Sequence, residues 1–382
     1  MTGTGVGSVP FRLMLATTVL GFGGYALLLP VVPLWVADSG EFAAGATTGV
    51  LMLTTIITQL GVPWLVMRVG YRVALGAGLV LLGAPTPLLA LSADLAPVLA
   101  VSAVRGVGFG LLTVVGSALV AELVPPAEHG RAGARYGIAV GLPQLVLLPA
   151  GVAVVDAVGF AALFVAAGVA PLLGALVVPT LRVPRPRAVT RETAPRAGGA
   201  AVGPLMAMLV CSVAQGGLIT FLPLAVPGAG LLVAAALLLT AAGALLGRSV
   251  AGRLVDRHGM GGRLLLPGVL LAAAGMGLEV LAVAGGGAFV VIGAAVVGVG
   301  FGLVQNDALT TLFAASGPAR YGSASAAWNI AYDAGTGVGA TGLGAVADPF
   351  GFRAAFGLSA LLLVVAAPVT RVRRVVTGRT GT

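Results

Sequence analysis

Six residues, Gly-Val-Gly-Phe-Gly-Leu, occur twice in this chain, at 106–111 and 298–303, within one residue of half the 382-residue length apart. Two further pairs keep nearly that spacing: Met67-Arg68-Val69-Gly70 against Asp256-Arg257-His258-Gly259, and Gly23, Gly24 and Pro30 against Gly216, Gly217 and Pro223. A chain written twice folds as two like halves that meet at a shared interface. Both halves are too apolar for water: 9% of residues are charged, against about 25% in soluble domains. Lipid is then the main solvent. The backbone must satisfy its own hydrogen bonds, which continuous helices do. The 60 glycines lie within the apolar runs, where small residues let membrane helices pack closely.

A spanning helix needs about 20 apolar residues. Polar breaks mark twelve such segments: 11–37, 44–66, 73–92, 97–123, 137–155, 159–180, 204–226, 230–251, 264–283, 287–314, 322–346 and 353–370. The expected fold is all-α and integral to the membrane, twelve transmembrane helices in two pseudo-symmetric six-helix bundles. The first bundle occupies 1–180 and the second 204–382 with a short tail. Between them 181–203 is a basic linker carrying Arg182, Arg185, Arg187, Arg191 and Arg196.

If the spans alternate, Arg12, Arg68, Arg72, Arg131, Arg135, the linker arginines, Arg253, Arg257, Arg263, Arg320, Arg371, Arg373, Arg374 and Arg379 share one side. The opposite connections hold Asp38, Glu41, Asp94, Asp156 and Asp348, with Arg353 as the exception. The positive-inside rule places the linker and both termini in the cytoplasm, and the protein in the cytoplasmic (inner) membrane. Trp35 and Trp64 fall near opposite interfaces. The first apolar stretch is too long for a signal-peptide core and reads as a retained helix. Arginines dispersed between apolar spans do not form a nucleic-acid surface, despite a net charge of +9. Cys211 is the single cysteine, and His129 and His258 are far apart, so no metal site or cofactor is expected.

Six plus six spans, a basic linker and a paired glycine–arginine turn together resemble the major facilitator superfamily. That family's turn signature is Gly-x-x-x-Asp-Arg-x-Gly-Arg-Arg. Gly252, Asp256, Arg257, Gly259 and Arg263 match it in the second half. In the first half Arg68, Gly70 and Arg72 remain, while Pro63, Met67 and Tyr71 depart from it. The resemblance implies a conformational latch at these turns, weakened where Met67 replaces the carboxylate. Short basic turns that merely anchor the helices explain the same residues. Arg105-Gly106-Val107-Gly108-Phe109-Gly110 follows the family's fourth-span signature. Gly137, Gly141, Pro143, Pro149 and Gly151 follow loosely the fifth-span pattern of its drug antiporters.

Ionisable residues inside spans are functional candidates, since each is costly in lipid, about 2.5–3.5 kcal/mol for an arginine on insertion scales. Asp333 lies near mid-depth in the eleventh span, with Asn329 one turn before it on the same face. Asp333, Asp307 and Arg105 are the candidates for proton coupling, with a structural hydrogen bond, a gate role and snorkelling as their plainer alternatives. Glu279, in the outer third of a peripheral span, is expected to reach for water. Tyr25, Gln144, Gln215, Asn306 and Asn329 are candidates to line a substrate cavity. Pro30 and Pro223 mark matched kinks.

The resemblance implies a secondary transporter working by alternating access on a small-molecule substrate, with the proton gradient as energy source and a monomer as the working unit. Proton-coupled antiport exporting an apolar metabolite or drug is the leading expectation. A proton-coupled uptake symporter or a facilitator is the alternative. A membrane enzyme or a non-transporting sensor is remote, because no nucleophile or acid–base constellation stands at an interface.

Overall fold

The computed structural model describes residues 5–125, 128–183, 199–285, 287–316 and 321–370. Arg185, Arg187, Arg191, Arg196, Arg320, Arg371, Arg373, Arg374 and Arg379, and with them most of the expected linker, lie outside the described residues. Among the described residues all regular structure is helical. The first half contains α1 (Val9–Leu28), α2 (Val31–Trp35), α3 (Glu41–Gly83), α4 (Leu95–Leu123), α5 (His129–Val158) and α6 (Phe160–Val177). The second contains α7 (Gly199–Ala225), α8 (Gly230–His258), α9 (Leu265–Ala282), α10 (Gly287–Ser316) and α11 (Tyr321–Ala366).

Two of these helices are double spans. α3 has 43 residues and α11 has 46. At 1.5 Å per residue each is about twice the ~30 Å of bilayer hydrocarbon. Each is broken by a glycine in the left-handed half of backbone space, Gly70 (φ 82°) in α3 and Gly351 (φ 77°) in α11. There the chain reverses between the second and third, and between the eleventh and twelfth, expected spans. α1 and α2 together form the first span, split at Pro30. Pro223 does not split its helix; it lies in the last turn of α7. The chain therefore crosses the bilayer twelve times. Leu53, Ile57, Leu60 and Trp64, spaced by three and four along α3, are 57–69% exposed, as a lipid-facing stripe should be.

The repeated hexapeptide is a packing device. On α4, a Cβ at Gly106 would collide with the Leu51 carbonyl on the first half of α3, and one at Gly110 would stand 2.7 Å from the Thr55 carbonyl. Gly108, on the other side of α4, meets Gly78 and Leu82 in the second half of α3. The second copy repeats this on α10: Gly298 and Gly302 meet the backbone of Thr240 and Ala244 on α8, and Gly300 meets Gly268 and Ala272 on α9. Alternate glycines thus let one helix touch two neighbours at backbone distance.

The bundles meet along α3 with α11 and along α5 with α8. We call the side bearing the start of α1 and the end of α11 the terminal face and the other the far face. The close approaches lie in the far half. Gly45 abuts Ala340, Gly337 would set a Cβ 2.9 Å from Met52, and Gly344 abuts the Glu41 carbonyl. At the far rim Asp348 Oδ1 accepts the Glu41 backbone N–H at 3.2 Å, at the N-terminus of α3. Its repeat counterpart, Asp156 on α5, brings Oδ2 to within 3.8 Å of the Cβ position of Gly230, in the first turn of α8. Toward the terminal face the helices part. Pro63 and Ala326 continue the contacting faces of α3 and α11 yet are exposed. Among the described residues, nothing lies within 4 Å of the Cβ positions of Gly133 and Gly137 on α5.

Candidate functional site

Asp333 sits on α11 where the two bundles touch at mid-depth, 3% exposed. Its Oδ2 accepts a hydrogen bond of 2.8 Å from Gln59 Nε2 on α3. The same amide lies 3.3 Å from Thr113 Oγ1 on α4. One second-bundle carboxylate is thus held by a first-bundle amide. Asn329 shares the Asp333 face in sequence but donates to the Ser325 carbonyl of its own helix at 2.9 Å, so the two side chains are not joined.

Across the interface from Asp333 lies Tyr25, on α1. It is 2% exposed and stacked on Phe109 with centroids 4.0 Å apart. Its hydroxyl is within electrostatic reach of Tyr332, Asp333 and Arg105. Arg105, on α4, is 2% exposed, so it does not snorkel to the headgroups. The Tyr25 hydroxyl and Arg105 Nε have no hydrogen-bond partner among the described residues. Both line a small recess with Thr47, Thr48 and Ser102.

A larger cavity opens between α5 of the first bundle and α7, α8 and α10 of the second. Its cavity volume is about 60 Å³, below the roughly 300–1,000 Å³ of sites that enclose a whole small molecule. Gln144 and Gln215 line it, as do two residues the sequence reading did not single out, Arg248 and Gln305. Its walls are otherwise largely apolar, among them Leu148, Ile219, Leu237, Leu245 and Phe301. Phe301 in turn packs on Tyr332 at 5.9 Å. Arg248 lies in the second half of α8. The sequence signal for Arg248 was present: an arginine inside the eighth expected span. Gln59 carried a weaker one, a lone amide inside the second.

The remaining candidates lie elsewhere. Asp307 is fully buried on α10, but its oxygens are occupied by the α8–α9 turn: Oδ1 accepts from Gly262 N at 2.7 Å and Oδ2 from Leu264 N at 2.8 Å. It braces that turn and is not brought to Asp333. Asn306 does not line the cavity; its Nδ2 is buried 3.9 Å from the Cβ position of Gly252. Glu279 does not reach water. It is 0% exposed between α9 and α10, with Oε1 2.7 Å from where a Gly293 Cβ would be. Glycine at 293 leaves room for that carboxyl, which a Cβ there would push aside.

The turn residues stand on the terminal face. Gly259 ends α8 in left-handed geometry, its N–H reaching back to Val255 O at 3.0 Å. Asp256 and Arg257 are exposed beside it. In the first half Gly70 makes the reversal, Arg68 lies 4.2 Å over the Trp64 ring, and Arg72 donates to the Pro179 carbonyl.

Residues 13–340 match the family model described as Major Facilitator Superfamily. A search of curated proteins finds no match. Among solved structures, a bacterial homolog of the human lysosomal transporter Spinster, inward-facing and unoccupied, is 15% identical with a TM-score of 0.73, covering 95% of this chain and 97% of that one. A POT family transporter in complex with 5-aminolevulinic acid is 14% identical with a TM-score of 0.76, covering 94% of each chain. The nucleoside transporter NupG is 12% identical with a TM-score of 0.71, covering 94% of this chain and 98% of that one. At such identities the likeness speaks for the fold.

Proposed function

The chain belongs to the major facilitator superfamily, and from that premise we propose that it carries a small molecule with a largely apolar body across the cytoplasmic membrane, driven by the proton gradient through Asp333. The observation that carries this reading is the hydrogen bond from Gln59 to Asp333 across the bundle interface. A charge-assisted hydrogen bond is roughly twice as strong as a neutral one. Proton binding at Asp333 therefore loosens a tie between the bundles, and proton release restores it. That links protonation to the rocking on which alternating access depends. Tyr25 faces this carboxylate across the interface, and Arg105 lies beside Tyr25 in the adjoining recess.

Export by antiport is the direction favoured by the resemblance of the fourth and fifth spans. Symport is the second reading, supported by Arg248 in the cavity lining, whose charge suits an anionic cargo that travels with a proton. With the arginine-rich terminal face in the cytoplasm, the far-side closure makes this the inward-open state.

The test is flux in proteoliposomes with an internal pH reporter and an imposed proton gradient. Asp333→Asn should abolish accumulation against a gradient while solute exchange persists. If the variant still concentrates solute, Asp333 is not the coupling group. The sign of the pH change on adding substrate separates antiport from symport.

A further inference from the structure

We propose that the cavity between α5, α7, α8 and α10 selects a small organic acid, its carboxylate held by Arg248 and by the amides of Gln144, Gln215 and Gln305, its apolar body against Phe301 and the neighbouring leucines. The proposal rests on the reading of this cavity as the transport site and names its substrate class.

Three features of the lining point to an anion. Among the described residues that line the cavity, Arg248 is the one cation and none is acidic. The mid-depth carboxylate Asp333 is engaged by Gln59. A guanidinium inside a membrane helix is costly when alone, and a carboxylate fits it with two parallel hydrogen bonds. The three glutamines supply further N–H donors, which a carboxylate, with about four lone-pair positions, can accept. Gln144 already turns its Nε2 to the Val140 carbonyl at 3.2 Å, a weak local bond open to exchange. The walls exclude small hydrated anions as preferred cargo. Leucine, isoleucine and phenylalanine side chains offer no donors, so inorganic sulfate would lose its water on that side with nothing in return.

The placement also serves transport. Gln144 belongs to the first bundle, and Arg248, Gln215 and Gln305 to the second. A carboxylate touched from both sides binds some arrangements of the bundles better than others, which is what a ligand needs in order to bias the rocking.

The experiment is a binding measurement on the purified full-length protein, by thermal shift and by tryptophan fluorescence. The probes are benzoate, phenylacetate and octanoate, each paired with its neutral carboxamide, with sulfate as a bare anion. At least one carboxylate should bind ten or more times tighter than its amide and than sulfate. Arg248→Gln should erase that preference, while Arg248→Lys should retain part of it. Gel-filtration profiles and unfolding temperatures establish that both variants fold. Should Arg248→Gln fail to fold, Gln215→Leu and Gln305→Leu provide the test, each expected to weaken carboxylate binding several-fold. The proposal is overturned if every amide binds as well as its acid, if sulfate competes equally, or if the preference survives Arg248→Gln. Binding without flux would instead sink the transport reading and leave this one standing. Flux of neutral solutes with no carboxylate preference would do the reverse.

Discussion

Asp307 and Asp333 are both buried carboxylates on helices of the second bundle, and their partners set them apart. Each oxygen of Asp307 accepts a backbone N–H from the α8–α9 turn, whereas Asp333 reaches a single side chain of the opposite bundle. In Asp307→Asn one of the two turn N–H groups faces an amide NH2 and loses its acceptor. An unsatisfied buried donor costs about 1–3 kcal/mol. The unfolding temperature in detergent should fall while proton-driven transport persists in the molecules that remain folded. If transport uncouples at unchanged stability, Asp307 belongs with the coupling residues after all. The sequence placed both acids inside spans but gave no means of telling them apart, because the difference lies in which loop or helix folds over each. Glu279 shows the same limit. Its peripheral span suggested water, yet Gly293 on α10 makes the space that buries it.

Among the helices, the paired glycines and the far-face carboxylates carry the two-fold plan from sequence into contact. The hexapeptide was legible as a repeat; its meaning was not, because alternate residues of one helix touch two different neighbours. Gly302→Val should therefore force α10 off the Ala244 backbone and abolish folding. Gly277→Ala, on α9 with no described atom within 4 Å of the Cβ position, should be neutral or should stabilise by up to about 1 kcal/mol. Fluorescence-detected gel filtration after heating would rank the two, and equal heat resistance would remove the packing role.

At the far rim Asp348 and Asp156 approach the N-termini of α3 and α8 across the interface. A carboxylate at a helix N-terminus is worth about 0.3–1 kcal/mol, the lower end where exposed. Removing both in Asp156→Asn/Asp348→Asn should raise the far-open population by a few-fold to about tenfold. A cysteine at Thr48 reports this, because native Cys211 is fully buried and adds little background. Its labelling by an impermeant thiol reagent should quicken in the double variant; an unchanged rate would show that the pair does not hold the far side shut.

For the molecule as a whole, the direction of opening and the distribution of charge make one claim about topology. Twelve crossings, two bundles and a basic terminal face follow from apolar length and arginine placement, which act at the level of whole segments and so survive in sequence. The side chains that meet between bundles survive only as weak signals, since Gln59 is one amide in an apolar run and Arg248 one arginine inside the eighth expected span. Only the fold brings Gln59 to Asp333 and Arg248 to the cavity. If the terminal face is cytoplasmic, the gap that exposes Pro63 and Ala326 opens inward. An Ala326→Cys variant should then react with an impermeant maleimide in inverted vesicles and stay protected in right-side-out ones. An added ligand that draws the terminal face shut should slow the reaction in inverted vesicles. Labelling from the right-side-out face would reverse the orientation, and with it the direction in which a proton entering at Asp333 drives the cargo.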